Sequence, residues 1–227
     1  APLRKVSNGV REWSMDLSLY VIIDRRMIKG KSSIRVTREA ITGGATAIQL
    51  REKKMESRDL CHLASSLKIV AKKKKALFIV NDRIDIAQAV DADGVHLGQE
   101  DLPIKIARKL LGRNKIIGAT VRNLSQALKA QREGADYVSL GPIFSTKTKK
   151  DLPPPRGLKT IAQIKEKIRL PLIAIGGINR DNVASVIRAG ADGVAAASAV
   201  VGAKNIRKTT GELLRQIKEV KRLKRRN

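Results

Sequence analysis

The sequence is short of the residues that several classes of protein require. It has one cysteine, Cys61, which excludes an internal disulfide and fits a reducing, cytoplasmic compartment. One cysteine and two histidines are too few for a zinc site with soft ligands. No apolar run approaches the roughly 18 residues that a membrane helix needs, and residues 1–14 are polar and basic, unlike a signal peptide. We therefore expect no membrane partner.

Acidic residues are scarce as well. The chain has 21 Asp and Glu against 47 Lys and Arg, which gives a formal net charge of +26. Such a charge suggests nucleic acid as a partner. However, the basic residues are spread along the whole chain, and aromatics make up only 2% of it, so few platforms exist on which bases could stack. We expect small anionic substrates to be the partners rather than nucleic acid, and the sequence leaves a homo-oligomer open.

What the sequence does contain is a regular alternation of short apolar runs and helix-length segments. Each run is nearly continuous in aliphatic residues, which is typical of strands that are buried on both faces. Alternating units of this kind predict a parallel sheet with crossover helices. The predicted strands cover residues 19–23, 47–50, 77–80, 94–97, 116–120, 137–140, 172–175 and 193–197. The predicted helices include residues 58–74, 83–90, 123–132, 160–168 and 181–189.

Two folds are built from such units, and the sequence favours the closed one. A doubly wound open sheet would have a glycine-rich turn after its first strand, but Asp24-Arg25-Arg26 stands there. Eight βα units in about 200 residues match the scale of a TIM barrel. We predict a single (β/α)8 TIM barrel over residues 15–203, with a basic extension at 1–14 and a basic helix and tail at 204–227.

Polar residues follow almost every predicted strand, and in a barrel these strand ends meet on one face. Asp82 and Asp101 follow neighbouring strands, so their carboxylates can reach one point. Two carboxylates, with water and substrate phosphate oxygens, suit a Mg²⁺ site. Each aspartate also precedes a predicted helix, where it could serve as the N-cap instead. The local sequence leaves both interpretations open.

Three further segments suggest anion binding at the same face. Residues 49–53 alternate as a strand does, which predicts that Gln49, Arg51 and Lys53 point to one side. The loop at 141–151 places hydroxyls and lysines after a strand, and glycines and small residues follow the last two strands at 176–177 and 195–199. Each segment also has a simpler interpretation, which is a solvated basic loop or close packing of small residues. His96, on a predicted strand, is more consistent with a packed, hydrogen-bonded side chain than with a general base.

Six motifs within residues 19–203 resemble those of the thiamine-phosphate synthase family. They are QLREK at 49–53, NDR at 81–83, DGVHLGQED at 93–101, GPIFSTKTKKD at 141–151, PRGL at 155–158 and IGGI at 175–178. The resemblance implies a TIM barrel that joins 4-amino-2-methyl-5-hydroxymethylpyrimidine diphosphate to a thiazole phosphate and releases pyrophosphate. It also implies a dissociative reaction, in which the diphosphate leaves before the thiazole nitrogen attacks.

The resemblance assigns a role to each motif residue. It implies that Asp82 and Asp101 bind Mg²⁺, and that Lys149 and Arg51 act in catalysis by stabilising charge on the leaving group. The residues implied to bind the pyrimidine diphosphate are Gln49, Arg51, Lys53, Asn81, Thr120 and Lys149. Those implied to bind the thiazole phosphate are Thr146, Thr148, Gly177, Ala197 and Ser198.

Two other functions stay open at this point. A thiazole tautomerase resembles the synthase but performs a proton shift that needs no diphosphate site. The presence together of Arg51, Asp82, Asp101 and Lys149 favours the synthase. A basic barrel that binds nucleic acid without catalysis would instead show tight, salt-sensitive binding and no turnover.

Overall fold

The computed structural model describes residues 15–28, 30–146 and 154–225, together with the backbone of residues 4–7 and 10–13. Two short strands near the N-terminus, β1 (Arg4–Ser7) and β2 (Val10–Trp13), pair in antiparallel fashion. The strands that follow close into a single parallel barrel. They are β3 (Leu19–Ile23), β4 (Ala47–Leu50), β5 (Leu77–Asn81), β6 (Gly94–Leu97), β7 (Ile116–Val121), β8 (Tyr137–Leu140), β9 (Leu172–Ile175) and β10 (Gly193–Ala196).

The closed barrel confirms the predicted fold class. Each strand pairs with its neighbour in sequence, and β10 pairs with β3 to complete the ring. The predicted strand positions agree with the structure to within one residue. At β10 the difference of one residue marks a helix that the sequence pattern does not reveal. The strand ends at Ala196, and Ala197, with φ −113° and ψ −97°, turns the chain into a short helix.

Helices cover the outside of the barrel. They are α1 (Ser33–Thr42), α2 (Ser57–Lys73), α3 (Ile84–Ala89), α4 (Ile104–Leu111), α5 (Leu124–Glu133), α6 (Gly157–Lys165), α7 (Val183–Arg188), α8 (Ser198–Val201) and α9 (Ile206–Lys224).

Two helices depart from their predicted bounds by more than one residue. α7 begins at Val183 rather than 181 because the residues before it form a turn closed by two asparagine side chains. The side chain of Asn179 accepts from the backbone N–H of Asp181. The side chain of Asn182 accepts from the backbone N–H of Asn179. α6 covers 157–165 rather than 160–168. The prediction ended too late because Ile168 is buried and continues the apolar pattern, although it lies beyond the end of the helix.

The barrel interior is filled by a small apolar cluster in which two tyrosines are the largest members. The rings of Tyr20 and Tyr137 meet edge to face with centroids 6.0 Å apart, and both side chains are fully buried. Gly118 on β7 provides the space, since a Cβ there would lie 2.0 Å from Cζ of Tyr137. A larger apolar layer separates the outer faces of the strands from the helices.

The last helix packs on this outer layer. α9 buries Leu213, Ile217 and Val220 and lies against α1 and α7. The division of the chain at residues 14 and 203 stays a prediction. Within the described part of the chain, no helix combines the length and the apolar character that crossing a bilayer requires.

Candidate active site

A cavity of about 550 Å³ opens at the carboxyl ends of the barrel strands. Its size is that of a small-molecule site. The predicted residues that line it are Gln49, Arg51, Asn81, Thr120, Thr146, Gly177, Ala197 and Ser198.

The lining residues fall into two groups around the ring of strands. Gln49, Arg51, Asn81 and Thr120 come from β4, β5 and β7 or from the residues just after them. The second group follows β8, β9 and β10, and its members are Thr146, Gly177, Ala197 and Ser198. Because the ring runs β3 to β10 in order, each group occupies one continuous arc of the mouth.

Asp82, Asp101 and Lys53 form a charged cluster at the edge of the first arc. The carboxyl groups of Asp82 and Asp101 lie within hydrogen-bonding reach of each other, and the ammonium of Lys53 donates to Asp82. Burial, together with the hydrogen bond and the negative charge of Asp101, raises the pKa of Asp82 to about 6. Burial opposes ionisation of Asp101 too, but hydrogen bonds from Asp82 and from the backbone N–H of Gly98 outweigh it and lower the pKa of Asp101.

Neither aspartate serves as a helix cap, so the structure excludes that interpretation. The N-cap of α3 is Arg83, and the N-cap of α4 is Pro103. Asp82 instead adopts a left-handed backbone conformation, with φ 62°, and Asp101 Oδ2 accepts a 2.6 Å hydrogen bond from the backbone N–H of Gly98. The two carboxylates are therefore held beside each other rather than at helix termini.

The prediction that Gln49, Arg51 and Lys53 share one side is wrong at its last residue. β4 ends at Leu50, so the alternation of a strand does not continue to Lys53. Gln49 and Arg51 line the cavity, whereas Lys53 lies in a bend and turns to Asp82.

A chain of hydrogen bonds crosses the floor of the cavity. The Gln49 side-chain N–H donates to the hydroxyl of Tyr20, which lies 3.0 Å from the hydroxyl of Tyr137. Tyr137 in turn lies 2.9 Å from Nδ1 of His96, and Nε2 of His96 lies 2.9 Å from Oγ1 of Thr120. The chain thus joins one predicted ligand-binding residue on β4 to another on β7.

One arrangement of protons gives every donor in this chain an acceptor within it, since each hydroxyl carries a single proton. Burial raises the pKa of both tyrosines, so each keeps its proton. Tyr20 accepts from Gln49 and donates to Tyr137, which donates to Nδ1 of His96. Nε2–H of His96 then donates to Thr120. The Thr120 hydroxyl proton and the Gln49 carbonyl oxygen are left as a donor and an acceptor for a bound molecule.

His96 is therefore a packed, hydrogen-bonded side chain, as its sequence position suggests. It is buried, stacks on the ring of Tyr137 with centroids 5.5 Å apart, and uses both ring nitrogens within the chain of hydrogen bonds. Its geometry suits it to orient Thr120 rather than to take a proton from a ligand.

Removing the central hydroxyl of this chain should cost stability. We expect Tyr137→Phe to lower the free energy of unfolding by about 1–3 kcal/mol, because two buried hydrogen bonds are lost and their partners stay buried. Urea denaturation measures this change. Imidazole ¹⁵N spectra provide a second readout, since the chain has only two histidines and the exposed His62 serves as an internal control. An unchanged stability together with an unchanged His96 spectrum would show that the hydroxyl is not part of a coupled chain.

The glycines after β9 hold two loops together. The backbone N–H groups of Ile143 and Phe144 donate to the carbonyls of Ile175 and Gly176, at 2.9 and 3.0 Å. Gly177 has φ 67°, and a Cβ there would lie 2.6 Å from the carbonyl oxygen of Ser145. Close packing thus accounts for glycine at this position, and the same packing places the backbone of Gly177 at the cavity.

Two predicted residues, Thr148 and Lys149, lie outside the described residues. The chain on either side of them is anchored beside the mouth. Thr146 lines the cavity, and the backbone N–H of Arg156 donates a 2.7 Å hydrogen bond to the carbonyl of Pro142, another lining residue.

Sequence reasoning missed two charged residues at the site. Arg122 directly follows β7 and lines the cavity. Asp24 directly follows β3, is 2% exposed, and pairs with Arg51 at 2.7 Å. Asp24 stands immediately after the predicted strand 19–23, and Arg122 stands two residues after the predicted strand 116–120, so the strand-end signal that found the other residues could have found these as well.

Comparison with protein families gives one match over most of the chain. The family model described as thiamine monophosphate synthase matches residues 19–200. The chain is 45% identical to thiamine-phosphate synthase of Syntrophomonas wolfei over 204 residues, covering 90% of this chain and 97% of the relative. It is 47% identical to thiamine-phosphate synthase of Pyrococcus furiosus over 204 residues, covering 90% and 96%.

Solved structures give the same picture. Thiamine phosphate pyrophosphorylase from Pyrococcus furiosus superposes with a TM-score of 0.82 at 45% identity, covering 90% of this chain and 96% of that one. The (S)-3-O-geranylgeranylglyceryl phosphate synthase from Thermoplasma acidophilum, at 18% identity and a TM-score of 0.68, covers 91% of this chain and 94% of that one and is similar in fold alone.

Proposed function

This chain belongs to the thiamine monophosphate synthase family, and we propose that it is a transferase with that activity. It joins 4-amino-2-methyl-5-hydroxymethylpyrimidine diphosphate to 4-methyl-5-(2-phosphoethyl)thiazole and releases pyrophosphate and thiamine phosphate. The observation that carries this proposal is the cavity with two separate arcs. One arc holds guanidinium and amide groups together with the Thr120 hydroxyl, and the other holds hydroxyl and small residues. The carboxylates of Asp82 and Asp101 lie close together at the edge of the first arc.

The first arc suits the pyrimidine diphosphate. We propose that Gln49, Asn81 and Thr120 bind the ring, and that Arg51, Lys53 and Lys149 bind the diphosphate. An aminopyrimidine has an amino group that donates hydrogen bonds and ring nitrogens that accept them. The direction of the hydrogen-bond chain supports this assignment, because it leaves an acceptor on Gln49 and a donor on Thr120.

The second arc suits the phosphate of the thiazole. We propose that Thr146, Thr148, Gly177, Ala197 and Ser198 bind it. Thr146, Gly177, Ala197 and Ser198 line the same cavity as the first arc, so the thiazole ring can lie against the pyrimidine. Hydroxyls and backbone amides at loops after the last barrel strands are suited to bind a monophosphate without a metal.

The carboxylate pair fits a Mg²⁺ ion. The carboxyl groups of Asp82 and Asp101 lie within hydrogen-bonding reach of each other, so their oxygens are close enough to bind one cation. No cluster of three or more His, Cys, Asp or Glu suited to a metal occurs among the described residues. We propose that water and diphosphate oxygens supply the remaining ligands. When bound, Mg²⁺ supplies compact positive charge that offsets the charge of a leaving pyrophosphate.

In the proposed reaction the bond from the pyrimidine methylene carbon to the diphosphate oxygen breaks, and its electron pair leaves with pyrophosphate. The cation that remains is attacked by the lone pair of the thiazole nitrogen, which forms the new C–N bond. No proton needs to be removed at this step, which agrees with the engagement of both nitrogens of His96. Arg51 and Lys149 act by stabilising the charge that develops on the departing group.

The test is direct. The protein is mixed with both substrates and Mg²⁺, and thiamine phosphate and pyrophosphate are measured. We expect the two products in equal amounts, and only when both substrates are present. Absence of product at every pH and metal concentration would exclude the synthase. Isomerisation of a thiazole phosphate without the pyrimidine would then indicate the tautomerase, and salt-sensitive binding of DNA or RNA would indicate the nucleic-acid-binding barrel.

We further propose a cytoplasmic location, on the single free cysteine, and small phosphorylated molecules rather than nucleic acid as partners.

A further inference from the structure

Asp24 is a buried carboxylate at the mouth of the barrel. Its Oδ1 accepts from the backbone N–H and the Nε of Arg26, at 3.1 and 2.9 Å. Its Oδ2 accepts from Nη2 of Arg26 at 2.6 Å and from Nη1 of Arg51 at 2.7 Å. One carboxylate thus holds two guanidinium groups that come from the ends of neighbouring strands, β3 and β4.

The carboxylate is charged in this setting. Burial by itself would raise the pKa of Asp24, but the hydrogen bonds from Arg26 and Arg51 outweigh it and lower the pKa. A buried charge is tolerated when it is paired and hydrogen-bonded in this way.

Of the two arginines that Asp24 holds, Arg51 is the one at the cavity. The Arg51 side chain is 14% exposed and lines the cavity, whereas that of Arg26 is 58% exposed. A guanidinium has five N–H donors in a rigid plane, so one bond from Nη1 sets the direction of the others. Holding a long side chain in advance also removes part of the entropy cost of binding an anion.

We propose that Asp24 is a positioning residue that holds the guanidinium of Arg51 toward the diphosphate of the pyrimidine substrate. The inference rests on the proposed function, because it takes Arg51 as a diphosphate ligand. Asp24 itself touches no substrate and acts through Arg51.

The chain offers a matched control. Asp136, just before β8, is a second buried carboxylate that holds an arginine, Arg108. Its side chain is 5% exposed and that of Arg108 is 15%, against 2% and 14% for Asp24 and Arg51. However, it lies at the opposite end of the barrel, where the strands begin. Asp136→Asn therefore reproduces the loss of a buried ion pair without touching the cavity.

The experiment compares steady-state kinetics and thermal melting of the wild type, Asp24→Asn and Asp136→Asn. We expect both variants to melt at lower temperature. We expect kcat to fall about 10- to 100-fold in Asp24→Asn, with a smaller change in KM for the pyrimidine diphosphate, and to stay within about twofold in Asp136→Asn. KM changes less because removal of the carboxylate adds net positive charge, which attracts anions even when Arg51 is misaligned.

A double-mutant cycle shows whether the effect passes through Arg51. In an Arg51→Ala background, Asp24→Asn should change kcat by less than about twofold. The proposal is overturned if Asp24→Asn lowers kcat equally in the wild-type and Arg51→Ala backgrounds. It is also overturned if kcat of Asp24→Asn is within twofold of wild type, or is equal to that of Asp136→Asn. If Asp24→Asn does not fold, Asp24→Glu keeps the charge and moves it by one methylene, and a wild-type kcat there overturns the proposal. Failure of the wild type to turn over would instead overturn the proposed function.

Discussion

Asp82→Asn is expected to lower the turnover of both substrates by at least about 100-fold at moderate Mg²⁺. The change keeps the size of the side chain but removes one of the two carboxylates proposed to bind the metal. A 100-fold loss corresponds to about 2.7 kcal/mol of charge stabilisation, which is within the several kcal/mol that a bound cation supplies. The measurement is a series of initial rates over increasing Mg²⁺. Because Asp101 remains, part of the rate should return at high Mg²⁺.

The same substitution should leave the protein as stable as before or more stable at neutral pH. The pKa of Asp82 is raised to about 6, above its ordinary value, so the folded state disfavours its charged form. A group of this kind contributes stability at low pH that is lost as the pH rises through about 6. Asparagine carries no charge, so it avoids this cost at pH 7. Loss of activity together with retained stability is the pattern expected of a functional residue that is not optimal for folding.

Asp85→Asn is the control for this prediction. Asp85 lies three residues further along the chain, its side chain is 62% exposed, and it pairs with Arg83. The pair is solvated and should contribute little, so we expect rates within about twofold of wild type. Wild-type turnover and unchanged Mg²⁺ dependence in Asp82→Asn would contradict the metal assignment. Equal losses in the two variants would point to a disturbance of this segment instead.

The local sequence was sufficient to predict the barrel because its strands are buried on both faces. A run such as Leu19–Ile23 has no charged residue and is fully buried, and each such run is followed by a helix-length segment. The pattern failed where an element is too short to show periodicity. α8 has four residues, and the pairing of β1 with β2 is not marked by any apolar run.

The sequence predicted the site residues that stand at or just after the end of a strand, because the carboxyl ends of all barrel strands meet on one face. What could not be predicted depends on contacts between strands. An aspartate before a helix has the same local sequence whether it caps that helix or faces another carboxylate, so only the position of Asp101 beside Asp82 decides between the two. The chain of hydrogen bonds through Tyr20 and Tyr137 joins residues that are 117 positions apart. The local sequence around either tyrosine does not indicate that their hydroxyls meet.

Lys149→Ala should have the other large effect on the reaction. Two of the cations proposed for the diphosphate are partly neutralised: Arg51 shares its charge with Asp24, and Lys53 shares its charge with Asp82. Lys149 is three residues from Thr146, which lines the cavity, so the covalent chain keeps Lys149 within about 10 Å of backbone from a lining residue. A cation supplied from this loop would act on charge that develops only as the diphosphate leaves.

We therefore expect Lys149→Ala to lower kcat by about 100- to 1,000-fold, as for the loss of one group that stabilises a developing negative charge. KM for the pyrimidine diphosphate should change much less, because the ground state is also held by the first arc. Lys147→Ala is the matched control, since it removes the same charge from the same loop, and it should stay within about threefold of wild type. Equal losses in the two variants would mean that the loop contributes only general positive potential. In that case raising the salt concentration should reduce the wild-type kcat/KM to the same degree, whereas a specific contact from Lys149 predicts a loss in kcat that salt does not reproduce.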